Sequence, residues 1–154
     1  MAVTTREQIA RSSVEAFFEA YRNQDVHRMV ELCSENADCR YVPFEVWARQ
    51  RVVRADEKVV TVGKPIWTQL IHAFPDLGNE IHSIRSDEEG NVAVEVTIGG
   101  TQARDFGSIM NQGRRYDLPH LFLFHVDDEG LIDRVVAYWD TADWYRQLGK
   151  VQVD

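Results

Sequence analysis

Apolar residues near the start of the chain recur at helical spacing, with Val14, Phe17, Phe18 and Tyr21 on one stripe. Thr4 and Glu7 fit a capping box ahead of them. Asn23-Gln24-Asp25 breaks the pattern, and Asp25 can cap a second short helix carrying Val26, Met29, Val30 and Cys33 on one face. So short a connection predicts a helical hairpin. Residues 37–43 read as a first strand. Residues 44–62 have the weakest pattern: Phe44, Val46 and Trp47 are followed by mixed charge, which predicts a long loop or an irregular helix. Pro65 suits the first position of a third helix with Trp67, Leu70, Ile71 and Phe74 on its inner face, and Pro75 stops it.

After Pro75 the period changes to alternation. Residues 77–85 form a strand, Ser86 to Asn91 a turn, and Val92, Val94, Val96 and Ile98 alternate with Ala93, Glu95 and Thr97 as in a half-buried strand. Gly99-Gly100 can bend or bulge it. A polar loop near residues 107–113 leads to a strand over 117–126, the turn 127–130, a strand over 131–139, and a last helix from Asp140 or Thr141 to about Gly149. Helices followed by a meander give an α+β fold, with helices on one face of a curved sheet. Such an arrangement leaves a concavity where small ligands bind.

Composition narrows the function. A 154-residue chain is expected to form a single domain over 1–154 with a substantial core. The net charge of −8 and the lack of a basic stripe argue against nucleic acid, since Asp56 and Glu57 interrupt Arg49, Arg51, Arg54 and Lys58. No apolar run approaches the roughly 20 residues of a membrane span, and no signal-like core follows Met1, so a cytoplasmic location is expected. Cys33 and Cys39 are too few for a disulfide framework or a zinc site, and Cys33 packs as a small hydrophobe. His27, His72 and His82 have no metal-ligand spacing.

Several segments resemble SnoaL-like proteins of the nuclear transport factor 2-like superfamily. These are Asn36-Ala37-Asp38 after the helical hairpin, Gly63 before a helix, and Ala73-Phe74-Pro75-Asp76-Leu77. The chain ends similarly, in Gly130-Leu131-Ile132, Tyr138-Trp139-Asp140 and Gln147-Leu148-Gly149. The resemblance implies a cone-shaped, mostly antiparallel sheet with the N-terminal helices packed on its concave face. It also implies a cofactor-free cyclase, isomerase or dehydratase acting on a small hydrophobic carbonyl or polyketide-like molecule, or else a binding or dimerisation domain of the same fold. A homodimer through the sheet is the partner it suggests.

The aspartate matching the cyclase acid/base motif is Asp140. Burial at a strand end would raise its pKa, whereas capping the following helix would lower it. The ketosteroid isomerase aspartate has no counterpart, since Tyr41 or a neighbour holds its place. The epoxide hydrolase pattern meets Ala137 where it needs a carboxylate.

Two histidines are candidate partners for Asp140. If the turn 127–130 joins the strands directly, His120 falls opposite Ala137, near the Asp140 end, and His125 sits about 26 Å away along the strand. The family's histidine aligns with His125 if one turn residue is inserted. Alternation puts His120 on the face opposite Asp140 unless a bulge intervenes. The same ladder sets Asp117 against Asp140, and two facing carboxylates would raise one pKa. Tyr21, Tyr41, Trp47, Trp67 and Tyr138 are the candidate aromatic lining, with Asp117 as a further substrate contact.

Overall fold

The computed structural model describes residues 5–42 and 57–150. Helix α1 (Arg6–Arg22) is started by Thr5, whose hydroxyl accepts from the Gln8 N–H while the Gln8 side chain accepts from the Thr5 N–H. The capping box therefore sits one residue later than the Thr4–Glu7 expectation, because glutamine serves at the third helical position as well as glutamate does. Thr5→Ala should lower stability by about 1 kcal/mol. A midpoint unchanged in urea denaturation would show that the box contributes nothing.

Helix α2 (Val26–Glu31) is capped by Asp25, which accepts from the Arg28 N–H. Strand β1 (Cys33–Val42) then begins earlier than the expected residue 37. Cys33 consequently opens the strand rather than lying on the helix stripe. It is buried, as foreseen, and its thiol donates to the Met29 carbonyl. The overriding contact is tertiary: the Ile132 N–H donates to Leu32 O, drawing the chain out of the helix into a parallel pairing with the far end of the sequence.

The stretch from Val59 to Gly63 is a π-helical turn, in keeping with an irregular helix there. It leads into α3 (Lys64–Ala73), in which Pro65 occupies the first turn one residue after Lys64. Gly63 packs against the face of that helix. A Cβ there would stand 2.8 Å from the Trp67 ring and 3.1 Å from the Cys39 sulfur.

The remaining strands are β2 (Gly78–Ser86), β3 (Asn91–Thr101), β4 (Arg115–Val126) and β5 (Ile132–Trp139), followed by helix α4 (Thr141–Gln147). The sheet order is β1-β5-β4-β3-β2, parallel only between β1 and β5. The fold is thus the expected α+β class with a mostly antiparallel sheet.

The glycine pair in β3 makes no bulge, and pairing with β4 runs unbroken from Asn91–His125 to Thr101–Arg115. Gly99 serves close approach instead, since a Cβ there would meet Asp117 Oδ1 at 2.2 Å. Bulges fall in β2, between Ile81 and Ser83, and in the β4–β5 ladder. In the latter, Val126 pairs with Ile132 and His125 with Arg134, leaving Asp133 as the extra residue.

Alternation gives the sheet two distinct faces. The inner face carries Val94, Val96 and Ile98 of β3, Leu118, Phe122 and Phe124 of β4, and Val135 and Ala137 of β5, all buried. Helix α1 lies over it. Phe17, fully buried, is the hub, with ring centroids 5.4 Å from Phe18, 6.3 Å from Tyr21, 5.3 Å from Trp67 and 5.3 Å from Phe124.

Candidate functional site

Inward-facing residues of β4 form a column of rings that begins under α1 and runs toward α4. Phe124 stacks on Phe122 at 5.7 Å, and Phe122 on the His120 imidazole at 5.9 Å. His120 in turn stacks on Trp139 at 5.6 Å. Two one-residue shifts set this last contact: the turn pairs Val126 with Ile132 rather than with Leu131, and the Asp133 bulge adds another, so the partner of His120 moves from the expected Ala137 to Trp139, the residue just before Asp140. Tyr41 closes the side, 6.4 Å from Phe122 and 6.2 Å from Trp139, and its hydroxyl accepts from the Trp67 indole N–H at 2.8 Å.

His120 is 7% exposed. Its Nδ1 lies 3.0 Å from the Leu118 carbonyl, an acceptor, so Nδ1 carries the proton. Nε2 then presents a lone pair, and it makes no hydrogen bond to a described residue. Burial pushes the imidazole down to about 4, against the smaller upward pull of the Leu118 bond. At neutral pH this ring is uncharged and acts through Nε2 as an acceptor.

Asp140 stands exposed at the end of β5 and caps α4, its Oδ1 accepting from the Asp143 N–H at 3.0 Å. The second carboxylate oxygen takes no bond from a described residue. Next to it, Thr141 is buried with its hydroxyl oxygen unpartnered among the described residues. Sequence reasoning did not single out Thr141 or Trp139 as site residues. Trp139 could not be placed from the sequence, because β5 buries Val135, Val136 and Ala137 alike and shows no alternation.

The other candidates divide by face. Tyr21, Tyr41 and Trp67 are buried on the inner side, and burial lifts both tyrosine phenols well above their ordinary value. Tyr138, Asp117 and His125 belong to the outer face. The Asp117–Asp140 pair does not form, because the β4–β5 ladder ends at His120–Trp139. Gln147 bridges Asp117 to α4 instead, accepting from its N–H at 2.9 Å and donating to its carbonyl at 3.1 Å. The Asp117 carboxylate lies 3.3 Å from the Arg115 guanidinium.

His125 is fixed on the outer face between Asp133 Oδ1 at 2.7 Å and the Glu89 carbonyl at 3.0 Å. The structure therefore brings His120, not His125, to the inner wall. Trp47 lies outside the described residues. Burial pushes the Cys33 and Cys39 thiols up to about 12, which makes them poor nucleophiles. Among the described residues there is no cluster of three or more His, Cys, Asp or Glu side chains suited to a metal, and no helix long and apolar enough to cross a membrane.

A mostly antiparallel five-stranded sheet with helices on its inner face defines an α+β fold, and one neutral histidine is set in its aromatic inner wall. The profile of the SnoaL-like domain matches residues 14–135, and the chain belongs to that family. No curated protein matches it at significant similarity.

Among solved structures it is similar to a candidate SnoaL-like polyketide cyclase of Jannaschia sp. CCS1, with 15% identity, a TM-score of 0.78 and 99% of each chain covered. It is also similar to IdmH, a candidate polyketide cyclase of Streptomyces antibioticus, with 21% identity, a TM-score of 0.72, and 91% of this chain and 98% of that one covered. A third is an epoxide hydrolase of the LEH-like kind from M. tuberculosis, with 22% identity, a TM-score of 0.65, and 95% and 89% covered. At these identities the likeness shows the fold.

Proposed function

We propose that this chain is an enzyme that moves protons on a small hydrophobic carbonyl or polyketide-like compound, leading to aldol cyclisation, isomerisation or dehydration. The observation that carries this reading is the Nε2 lone pair of His120, which no described residue engages. It is set in a wall of Phe122, Trp139 and Tyr41, one residue along the ladder from the Asp140 end of β5. Membership of a family whose fold hosts cyclases and hydrolases supports it.

In the aldol case, the Asp140 carboxylate removes a proton α to a carbonyl, and the C–H electron pair becomes the enolate. The enolate carbon attacks a second carbonyl, forming the C–C bond, and the resulting alkoxide takes the proton back. His120, uncharged, accepts a hydrogen bond from a substrate O–H and orients the chain. A positioned acid/base of this kind contributes about 10²- to 10⁴-fold.

A second reading, a non-catalytic ligand-binding domain, is favoured by the exposure of Asp140 and by its engagement as a helix cap. Asp140→Asn separates the two, because asparagine caps a helix as well as aspartate but cannot take a proton. On the enzyme reading, α-proton exchange of a β-diketone in D₂O, followed by NMR, falls at least about 100-fold in this variant while its melting temperature holds. Exchange at the wild-type rate would leave Asp140 as a cap alone and favour the binding domain. A homodimer through the sheet would draw on the outer face, where Leu121, Leu123 and Tyr138 stand more than a third exposed.

A further inference from the structure

The outer face of the sheet carries a pattern independent of the inner wall. One continuous row crosses all five strands: Arg85 of β2 pairs with Ala93, Ala93 with Leu123, Leu123 with Val136, and Val136 with Arg40 of β1. The row is therefore apolar at its centre and cationic at both ends, which lie about 19 Å apart at the usual strand spacing. Arg134, in the neighbouring row beside His125, adds a third guanidinium.

In a chain of net charge −8, the guanidinium groups of these three exposed arginines make no hydrogen bond or ion pair with any described residue. Most other described arginines are engaged, for example Arg6 with Asp128, Arg22 with Asn79 and Arg115 with Asp76. Arg85 and Arg134 also border a groove of about 420 Å³ floored by Ala93 and Leu123. The one carboxylate in its wall, Asp87, is taken up by the Glu89 and Asn91 N–H groups and by the Asn91 amide.

We propose that this groove binds a small amphipathic carboxylate, its acid group held by Arg85 and Arg134 and its apolar body lying along Ala93 and Leu123. Guanidinium groups pair with carboxylates through two parallel N–H donors, and an apolar floor beside them selects for a hydrocarbon body. A volume near 400 Å³ suits a ligand of that size. A second copy of the chain is the rival occupant, and charge argues against it on this row. A two-fold axis through the centre of this row, along the strands or across them, sets arginine over arginine.

Decanoate is the probe and decanol its uncharged control, with the intact chain followed by methyl NMR. Decanoate is expected to shift the Ala93 and Leu123 methyl signals, and decanol to leave them in place. Arg85→Gln or Arg134→Gln should weaken decanoate binding about tenfold each, the typical effect of losing one charge-assisted pair. Arg114→Gln, a change to an exposed arginine in the loop before β4, should leave the affinity as it was.

Shifts confined to inner-face methyls such as Val94 and Leu118 would overturn the assignment, as would wild-type affinity for decanoate in the two glutamine variants. So would a dimer in sedimentation that Leu123→Asp dissociates while decanoate shifts no outer-face methyl, because that result gives the face to a second copy. A native-like spectrum of each variant shows that the fold is intact.

Discussion

Replacing Phe17 with alanine should cost about 3–5 kcal/mol of stability, as truncating a fully buried aromatic typically does. The cost has two parts, the lost transfer of the ring from water and the cavity left behind. The surroundings set the second part. Phe18, Tyr21, Trp67 and Phe124 all meet Phe17 edge-on, at angles between 68° and 89°, so its removal leaves rings facing an empty space from several sides. Rigid rings do not collapse easily into such a gap, which places the variant toward the upper part of the range. Urea denaturation of Phe17→Ala and Phe17→Leu measures it, with leucine costing less. A loss below about 1.5 kcal/mol for alanine would mean that α1 slides down to fill the space and that Phe17 is not the hub.

Acid should weaken the fold through His120, by about 3 kcal/mol. Folded, the imidazole stays unprotonated down to about 4, whereas its ordinary value is 6.5. Between those two values the unfolded chain binds a proton that the folded chain does not. Stability therefore falls as pH drops from 6.5 to 4, and this contribution is flat outside that window. The gap corresponds to about 3 kcal/mol at its full extent. His120→Asn keeps an N–H donor for the Leu118 carbonyl while removing the titration, so it isolates the effect. Wild type should lose stability faster than the variant from pH 6.5 to pH 4, and the carboxylates that also titrate in acid are common to both. Parallel stability curves across that window would show that the ring takes up its proton without unfolding, and that it is less sealed than its packing implies.

The elements that could be read from the sequence are those with one buried face and local contacts. The stripe of α1 and the strict alternation of β3 and β4 show which side faces inward, and both follow from burial on one side of a periodic element. The same alternation marks His120 as an inward residue between Leu118 and Phe122.

The parity of β5 was hidden. Val135, Val136 and Ala137 are all buried, so the apolar run shows no period, and the extra residue at Asp133 sits beside Arg134 with nothing in the sequence to mark it. The start of β1 was hidden for another reason: its partner β5 lies about a hundred residues later, and Ser34, Glu35 and Asn36 are all polar, so no apolar alternation marks it. For the site, Asp140 was legible as a helix cap, because capping is local. The stack of His120 on Trp139 was not, because it depends on the ladder register.

The Asp133 bulge acts as a phase marker for the whole of β5. Side chains alternate with a period of two, so removing a single residue from this hairpin would turn the strand over. Val135, Ala137 and Trp139 would rotate out to water, and Arg134, Val136 and Tyr138 would swing into the core. The chain therefore tolerates a change of residue type at position 133 far better than a change of length there.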